Sequence, residues 1–182
     1  DTLIRLEGVD RRFDALKPDF ARFLLTWTLQ GLWVFLTASC ALAAITAAAA
    51  RPVGALAALG TAVWIAGFAI EVIADRQKGV FRSDPANRDR FISSGLWAWS
   101  RHPNYCGEIL LWIGVALIAV PALSGWSLAT LISPVFVYVL LTRISGIPLL
   151  ESRSDAKWGD APEYQAYKAR TPVLWLRPPA AT

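Results

Sequence analysis

The sequence predicts an all-α, polytopic membrane helix bundle with four transmembrane helices, and three observations carry that prediction. Of 182 residues, 55% are hydrophobic and only 18% are charged, with a mean hydropathy of +0.41; an ordinary soluble domain is about a quarter charged. The apolar residues gather in four runs, 21–49, 52–74, 103–121 and 125–150. A helix needs about 20 apolar residues to cross the hydrocarbon core, and the third run approaches that length when Pro103 opens it, in the first helical turn that proline favours. Finally, of the 18 Lys and Arg and 14 Asp and Glu residues, all but Arg22, Glu71, Glu108 and Arg143 lie between and beyond these runs rather than within them.

Taken in order, residues 1–20 form a charged N-terminal segment, with Leu3, Leu6 and Phe13 as a weak apolar stripe for a membrane surface. Run 21–49 is broken only by Arg22 and Gln30, and run 52–74, opened by Pro52, carries Glu71 near its end. Only Arg51 separates these two, and a short Ser-Gly link separates 103–121 from 125–150, so each pair reads as an antiparallel hairpin. Between the hairpins lies the charged loop 75–102, and after them the tail 151–182. The whole, 1–182, is expected to be a single membrane domain without internal repeats. The chain opens Asp1-Thr2-Leu3, contains no methionine and shows no signal-peptide pattern, so a segment of a longer protein is expected.

Two hairpins place the N-terminal segment, the loop 75–102 and the tail on one side. Of the 18 Lys and Arg residues, only Arg51 falls opposite, leaving 17 on the charged side or at its edge. The positive-inside rule makes that side cytoplasmic. Trp27, Trp97, Trp99 and Trp126 sit near run ends, as interfacial anchors do. Cys40 and Cys106 have no metal-ligand spacing and read as small buried hydrophobes, and one histidine, His102, leaves no multi-histidine metal site. The expected partners are the lipid bilayer and a lipophilic small molecule, not nucleic acid; oligomeric state cannot be read.

Ionisable groups inside spanning segments cost roughly 2.5–3.5 kcal/mol each on insertion scales and mark candidate sites. Glu71, Glu108 and Arg143 are such groups, all within two turns of the charged face. The densest feature is Arg101-His102-Pro103-Asn104-Tyr105-Cys106-Gly107-Glu108. A helix starting at Pro103 puts Asn104 and Glu108 one turn apart on one face. Its free backbone amides, with Arg101 and His102 beside them, suit an anionic group such as a phosphate. Glu71 and Asp75 form a second i, i+4 pair, and Arg76, Lys78, Arg82, Arg88 and Arg90 follow. A plain loop whose arginines only satisfy the positive-inside rule is the alternative.

The run 101–108, preceded by Gly95-Leu96-Trp97, resembles the C-terminal signature of the steroid 5-alpha-reductase family, and most closely an uncharacterised bacterial branch grouped with it. Its shorter His-Pro-x-Tyr-x-Gly is similar to that of isoprenylcysteine carboxyl methyltransferases, in the same superfamily. Leu29-Gln30-Gly31, the spacing from Glu71 through Asp75 to Arg82, and Tyr164-Gln165-Ala166-Tyr167-Lys168 with Pro172 resemble the reductases or both families. The resemblance implies a bacterial inner-membrane protein whose cofactor contacts are Glu71, Asp75, Arg82, Arg101, His102, Asn104, Tyr105 and Glu108. The chain departs at Leu3, near where the reductases carry a proton-donating tyrosine, and at Glu71, where the steroid enzymes tend to carry asparagine. No catalytic residue is therefore named, and this segment alone is expected to be inert.

Three functions stay open. One is an NADPH-dependent reductase of a conjugated carbon–carbon double bond in a steroid-like or other lipophilic substrate, an oxidoreductase acting on CH–CH bonds. Another is an S-adenosylmethionine-dependent methyltransferase of a lipophilic acceptor. The third is a non-catalytic membrane scaffold. The density of arginines favours NADPH, whose phosphates they suit, over S-adenosylmethionine, a sulfonium cation with one carboxylate.

Overall fold

The computed structural model describes residues 19–47 and 54–179. The expectations for Leu3, Leu6, Phe13 and the N-terminal charged segment up to residue 18, and for the link at Arg51 and Pro52, lie outside the described residues. Among the described residues there is no strand, and four stretches are long and apolar enough to cross a membrane: Phe20–Ile45, Ala55–Ser83, Pro103–Ala122 and Gly125–Trp158.

Helix α1 (Phe20–Ile45) starts where Asp19 accepts the Arg22 N–H at 3.1 Å, a side-chain cap on an otherwise unsatisfied donor. The chain divides into two compact units between Leu36 and Thr37, inside this helix. In the first unit Leu24, Leu25, Leu29, Leu32 and Phe35 are exposed, as lipid-facing residues are. In the second, Cys40 is buried among Ala116, Ala119 and Leu123. There the Ser39 hydroxyl donates to the Thr130 carbonyl at 3.1 Å and the Ser133 hydroxyl to the Thr37 carbonyl, polar links that hold helices together in an apolar medium. The helix ends at Ile45, short of the expected residue 49, in a tighter turn closed by Ala47 N–H to Ala44 O.

Helix α2 (Ala55–Ser83) continues well past residue 74, where the sequence reading placed the start of a loop. Arg76, Gln77, Lys78 and Arg82 are good helix formers. The first stop is Pro85, which forces Asp84 into extended backbone (ψ 117°). At 1.5 Å per residue, 29 residues span about 44 Å, more than the ~30 Å of hydrocarbon. The charged end of α2 therefore stands proud of the membrane as a rigid helix.

Four glycines join α2 to α3 (Pro103–Ala119). Gly60 and Gly67 on one helix, and Gly107 and Gly114 on the other, are seven residues apart and so share a face. A Cβ on Gly67 would lie 2.6 Å from the Gly107 carbonyl, and one on Gly60 2.8 Å from that of Gly114. The two backbones touch, the close approach that small residues permit in membrane helices.

The fourth span is not the continuous helix 125–150. A 3-10 stretch, Gly125–Leu131, leads into α4 (Ile132–Val139), which widens into a π turn at Leu140–Ile144. The helix breaks at Ser145-Gly146, because Pro148 has no N–H to continue the ladder. Arg143 is exposed in the π turn. Beyond the break, α5 (Ile147–Trp158) carries Glu151, Arg153, Asp155 and Lys157, all of which follow the end of the apolar run at Leu150.

What reads in sequence as a tail folds back. After α6 (Pro162–Arg170), an extended strap returns to the residues preceding α3. Arg101 N–H donates to Pro172 O at 2.8 Å, Arg177 N–H to Trp99 O at 3.0 Å, and the buried Ser100 hydroxyl to Leu174 O at 2.8 Å. Leu174 and Leu176 pack against the cluster of Cys106, Ile109, Val137 and Leu141.

Gly67→Ala and Gly107→Ala should each destabilise the protein by about 1–3 kcal/mol, the usual cost of overpacking. Gly79→Ala, where nothing lies within 4 Å of an added Cβ, should stabilise it by about 0.5–1 kcal/mol. Thermal unfolding in detergent separates the two classes.

Candidate cofactor site

The loop that leads into α3 is fastened to α2. Gly95 adopts φ +61°, the left-handed region that glycine tolerates, and Leu96 N–H then donates to Gln77 Oε1 at 2.9 Å. Trp97, read from sequence as an interfacial anchor, is instead buried; its indole N–H donates to the Ala74 carbonyl at 3.0 Å. Lys78 Nζ sits 4.7 Å over the same ring, and the Tyr167 hydroxyl donates to Trp97 O at 2.7 Å. These bonds bring α2, the loop and α6 to one place.

Arg101 and His102 do not present an open anion site. Glu151 takes both: its carboxylate lies 2.6 Å from Arg101 Nη1 and 2.8 Å from His102 Nε2, with Lys168 Nζ at 3.9 Å. Burial works against the Glu151 charge, yet the His102 hydrogen bond and the Arg101 and Lys168 charges outweigh it and hold the carboxyl below the usual glutamate range. Lys168 also pairs with Asp155 at 2.6 Å, and Tyr164 donates to Asp155 at 3.1 Å. Burial, and next the hydrogen bond to Asp155, push the Tyr164 phenol up to about 12; burial likewise raises Tyr167. Both phenols stay protonated donors at neutral pH.

Around this network is a cavity of about 130 Å³, walled by Phe81, Phe91 and Trp97 and edged by Lys78, Arg82 and Arg90. At ~30 Å³ per water molecule, it holds about four waters, or one phosphate-sized group. Arg82 and Arg90 make no ion pair among the described residues, and Arg101 Nε is buried beside the cavity without a partner. Phe91 lies 5.2 to 5.9 Å from the rings of Trp158, Tyr164 and Tyr167, which fixes this wall.

The helical extension of α2 supplies the rest. Glu71, Asp75, Lys78 and Arg82 fall at i, i+4, i+7 and i+11, one stripe about 16 Å long, acidic at its inner end and basic at its outer end. Gly107 abuts the Glu71 backbone, so Glu108 stands within electrostatic reach of Glu71 and Asp75, and Tyr105 within reach of Asp75 and Glu108. None of the three carboxylates makes an ion pair among the described residues. Asn104 is half-buried one turn before Glu108, and the first turn of α3 leaves the Asn104 and Tyr105 N–H groups without intrahelical acceptors. Tyr105 stacks on His102 at 5.7 Å, which ties this face to the Glu151 network.

The structure thus gathers Glu71, Asp75, Asn104, Tyr105 and Glu108 on one face and puts Arg82 at the cavity, while Arg101 and His102 are internal partners of Glu151. The sequence reading missed Glu151, Phe91 and Asp155, as well as the pairing of Lys168. One signal was available: a lone buried-side arginine and histidine before a spanning helix require a counter-charge, and Glu151 follows the last apolar run directly.

Three comparisons bear on this chain. Residues 3–171 match the family described as "Protein of unknown function (DUF1295)". The chain is 30% identical over 137 residues to the uncharacterised protein C594.04c of Schizosaccharomyces pombe, covering 64% of this chain and 40% of that relative. The chain therefore covers about two fifths of that relative's length. No solved structure matches.

Glu151→Ala should be severely destabilising, by about 3–5 kcal/mol, because it leaves Arg101 buried without its counter-charge. Asp155→Asn, at an exposed pair, should cost about 0–1 kcal/mol. The Glu151 carboxyl is depressed in the fold, so its contribution is present above about pH 4.3, the unfolded value, and is lost as pH falls through the lower folded value. Unfolding midpoints of both variants between pH 3 and 7 check this.

Proposed function

We propose, from the premise that the chain belongs to the DUF1295 family, a family related to steroid 5-alpha-reductase-like proteins, that it forms the cofactor-holding part of a membrane-embedded NADPH-dependent reductase. Its substrate class is a lipophilic molecule, steroid-like or otherwise, with a conjugated carbon–carbon double bond. The observation that carries this reading is the polarity of the α2 stripe. Cations without an ion pair among the described residues meet a phosphate-sized cavity at one end, and carboxylates with an amide face the start of α3 at the other.

NADPH needs both chemistries. Arg82 and Arg90, with Lys78 behind them, suit its phosphates, where guanidinium groups bind planar oxygens in pairs. Asn104 and Glu108 suit the hydrogen-bonding groups of a ribose or a carboxamide, and Glu71 and Asp75 lie alongside. Bound there, the cofactor supplies a hydride; the protein's own part is to orient it at the membrane edge. The charged face is proposed to be cytoplasmic, in the inner membrane of a bacterium.

One observation favours a second reading. The unpaired Glu71, Asp75 and Glu108 also suit a sulfonium cation, so a methyltransferase that uses S-adenosylmethionine on a lipophilic acceptor is the alternative. S-adenosylmethionine offers the cations at the outer end of the stripe a single carboxylate where NADPH offers several phosphate charges, and that difference decides the preference.

Arg82→Ala should weaken NADPH roughly 10- to 150-fold, since a charge-assisted hydrogen bond contributes about 1.5–3 kcal/mol and 1.4 kcal/mol is about tenfold. Asn104→Ala and Glu108→Ala should also lose NADPH while the helical signal is kept. Titrating the intact protein and these variants with NADPH and with S-adenosylmethionine checks this. Binding of S-adenosylmethionine alone overturns the reductase in favour of the methyltransferase, and binding of neither favours a scaffold.

A further inference from the structure

The strap after α6 has a second surface that the cofactor reading does not use. Its side chains alternate. Leu174 and Leu176 turn inward onto Cys106 and Ile109, in the first two turns of the spanning helix α3. Val173 and Trp175 turn outward and are 40% and 52% exposed. This period of two belongs to extended chain with one buried face. The backbone bonds to Trp99 and Arg101 hold it level with the membrane entry of α3. Trp99, 39% exposed, lies alongside.

At the same level Arg170 and Arg177 edge a groove completed by Ser93, Ala98 and Tyr167. Arg177 Nη2 donates to the Arg170 carbonyl at 3.2 Å, which fixes one guanidinium next to the other residue's backbone. Neither arginine has an acidic partner among the described residues, and both are exposed. An aromatic and a β-branched side chain facing outward at the membrane entry, beside two exposed guanidinium groups, match the two layers of a bilayer surface. Trp175 suits the headgroup boundary, and the arginines suit lipid phosphate.

We infer that the strap and this groove form a docking site for anionic phospholipid, with the lipid phosphate between Arg170 and Arg177 and the glycerol region against Trp175 and Val173. The site shares Tyr167 with the wall of the cavity at Lys78, Arg82 and Arg90 but uses other cations, and it rests on the membrane fold rather than on the choice of cofactor. Because the strap bonds directly to Trp99, Ser100 and Arg101, lipid held there would also steady the residues that lead into α3.

The test uses the intact protein in detergent, titrated with phosphatidylglycerol and phosphatidylcholine and read by native mass spectrometry. Wild type should prefer phosphatidylglycerol. At a contribution equivalent to about fivefold per arginine near a charged surface, Arg170→Gln or Arg177→Gln should reduce that preference about fivefold, and the double variant about 30-fold. Phosphatidylcholine binding should be unchanged. An unchanged preference in the double variant overturns the site. If the double variant does not fold, the wild type decides: the preference should fall in 0.5 M salt, where exposed charges are screened, and its survival overturns the proposal. Displacement of phosphatidylglycerol by millimolar glycerol phosphate would assign the groove to a soluble phosphate instead and overturn the bilayer reading.

Discussion

The contact on which the rest depends is backbone against backbone, where Gly60 and Gly67 of α2 meet Gly114 and Gly107 of α3. Helices that touch this closely cannot shift along each other without meeting side chains. Gly107 against the Glu71 backbone sets the height at which Glu71 and Asp75 face Glu108 and Asn104. In an apolar solvent there is little hydrophobic force between helices, so packing of this kind decides the register. The same register places Ala74 where the Trp97 indole reaches it. That bond, with Gln77 on Leu96, lays the loop across the outer end of α2.

From there the charges sort themselves by cost. At the membrane edge an arginine or histidine buried by the loop needs a counter-charge, and Glu151 supplies it for both Arg101 and His102. Arg82, farther along the stripe, and Arg90, in the loop beyond α2, are exposed and make no ion pair among the described residues.

Much of this was legible in the sequence. Four apolar runs gave the bundle, Pro103 marked the start of α3, and the i, i+4 spacing of Asn104 and Glu108 put them on one face. The buried, free cysteines Cys40 and Cys106 also agree with the reading. Other features were hidden for physical reasons. Hydropathy falls where α2 leaves the hydrocarbon, but the helix does not end there, because nothing before Pro85 stops it. Periodicity could not foresee the break at Ser145-Gly146, since Pro148 sits in an otherwise apolar run. The partnership of Glu151 with Arg101 spans fifty residues and depends on the fold of α5, which no local spacing encodes.

The central claim is that the charged stripe of α2 and the first turn of α3 form one cradle for NADPH. Hydrogen exchange of the intact protein, with and without NADPH, tests it most directly. Slowed exchange confined to amides 75–83, 95–98 and 104–108, absent when S-adenosylmethionine replaces NADPH, is the expected result. Unchanged exchange across those segments at saturating NADPH would contradict it.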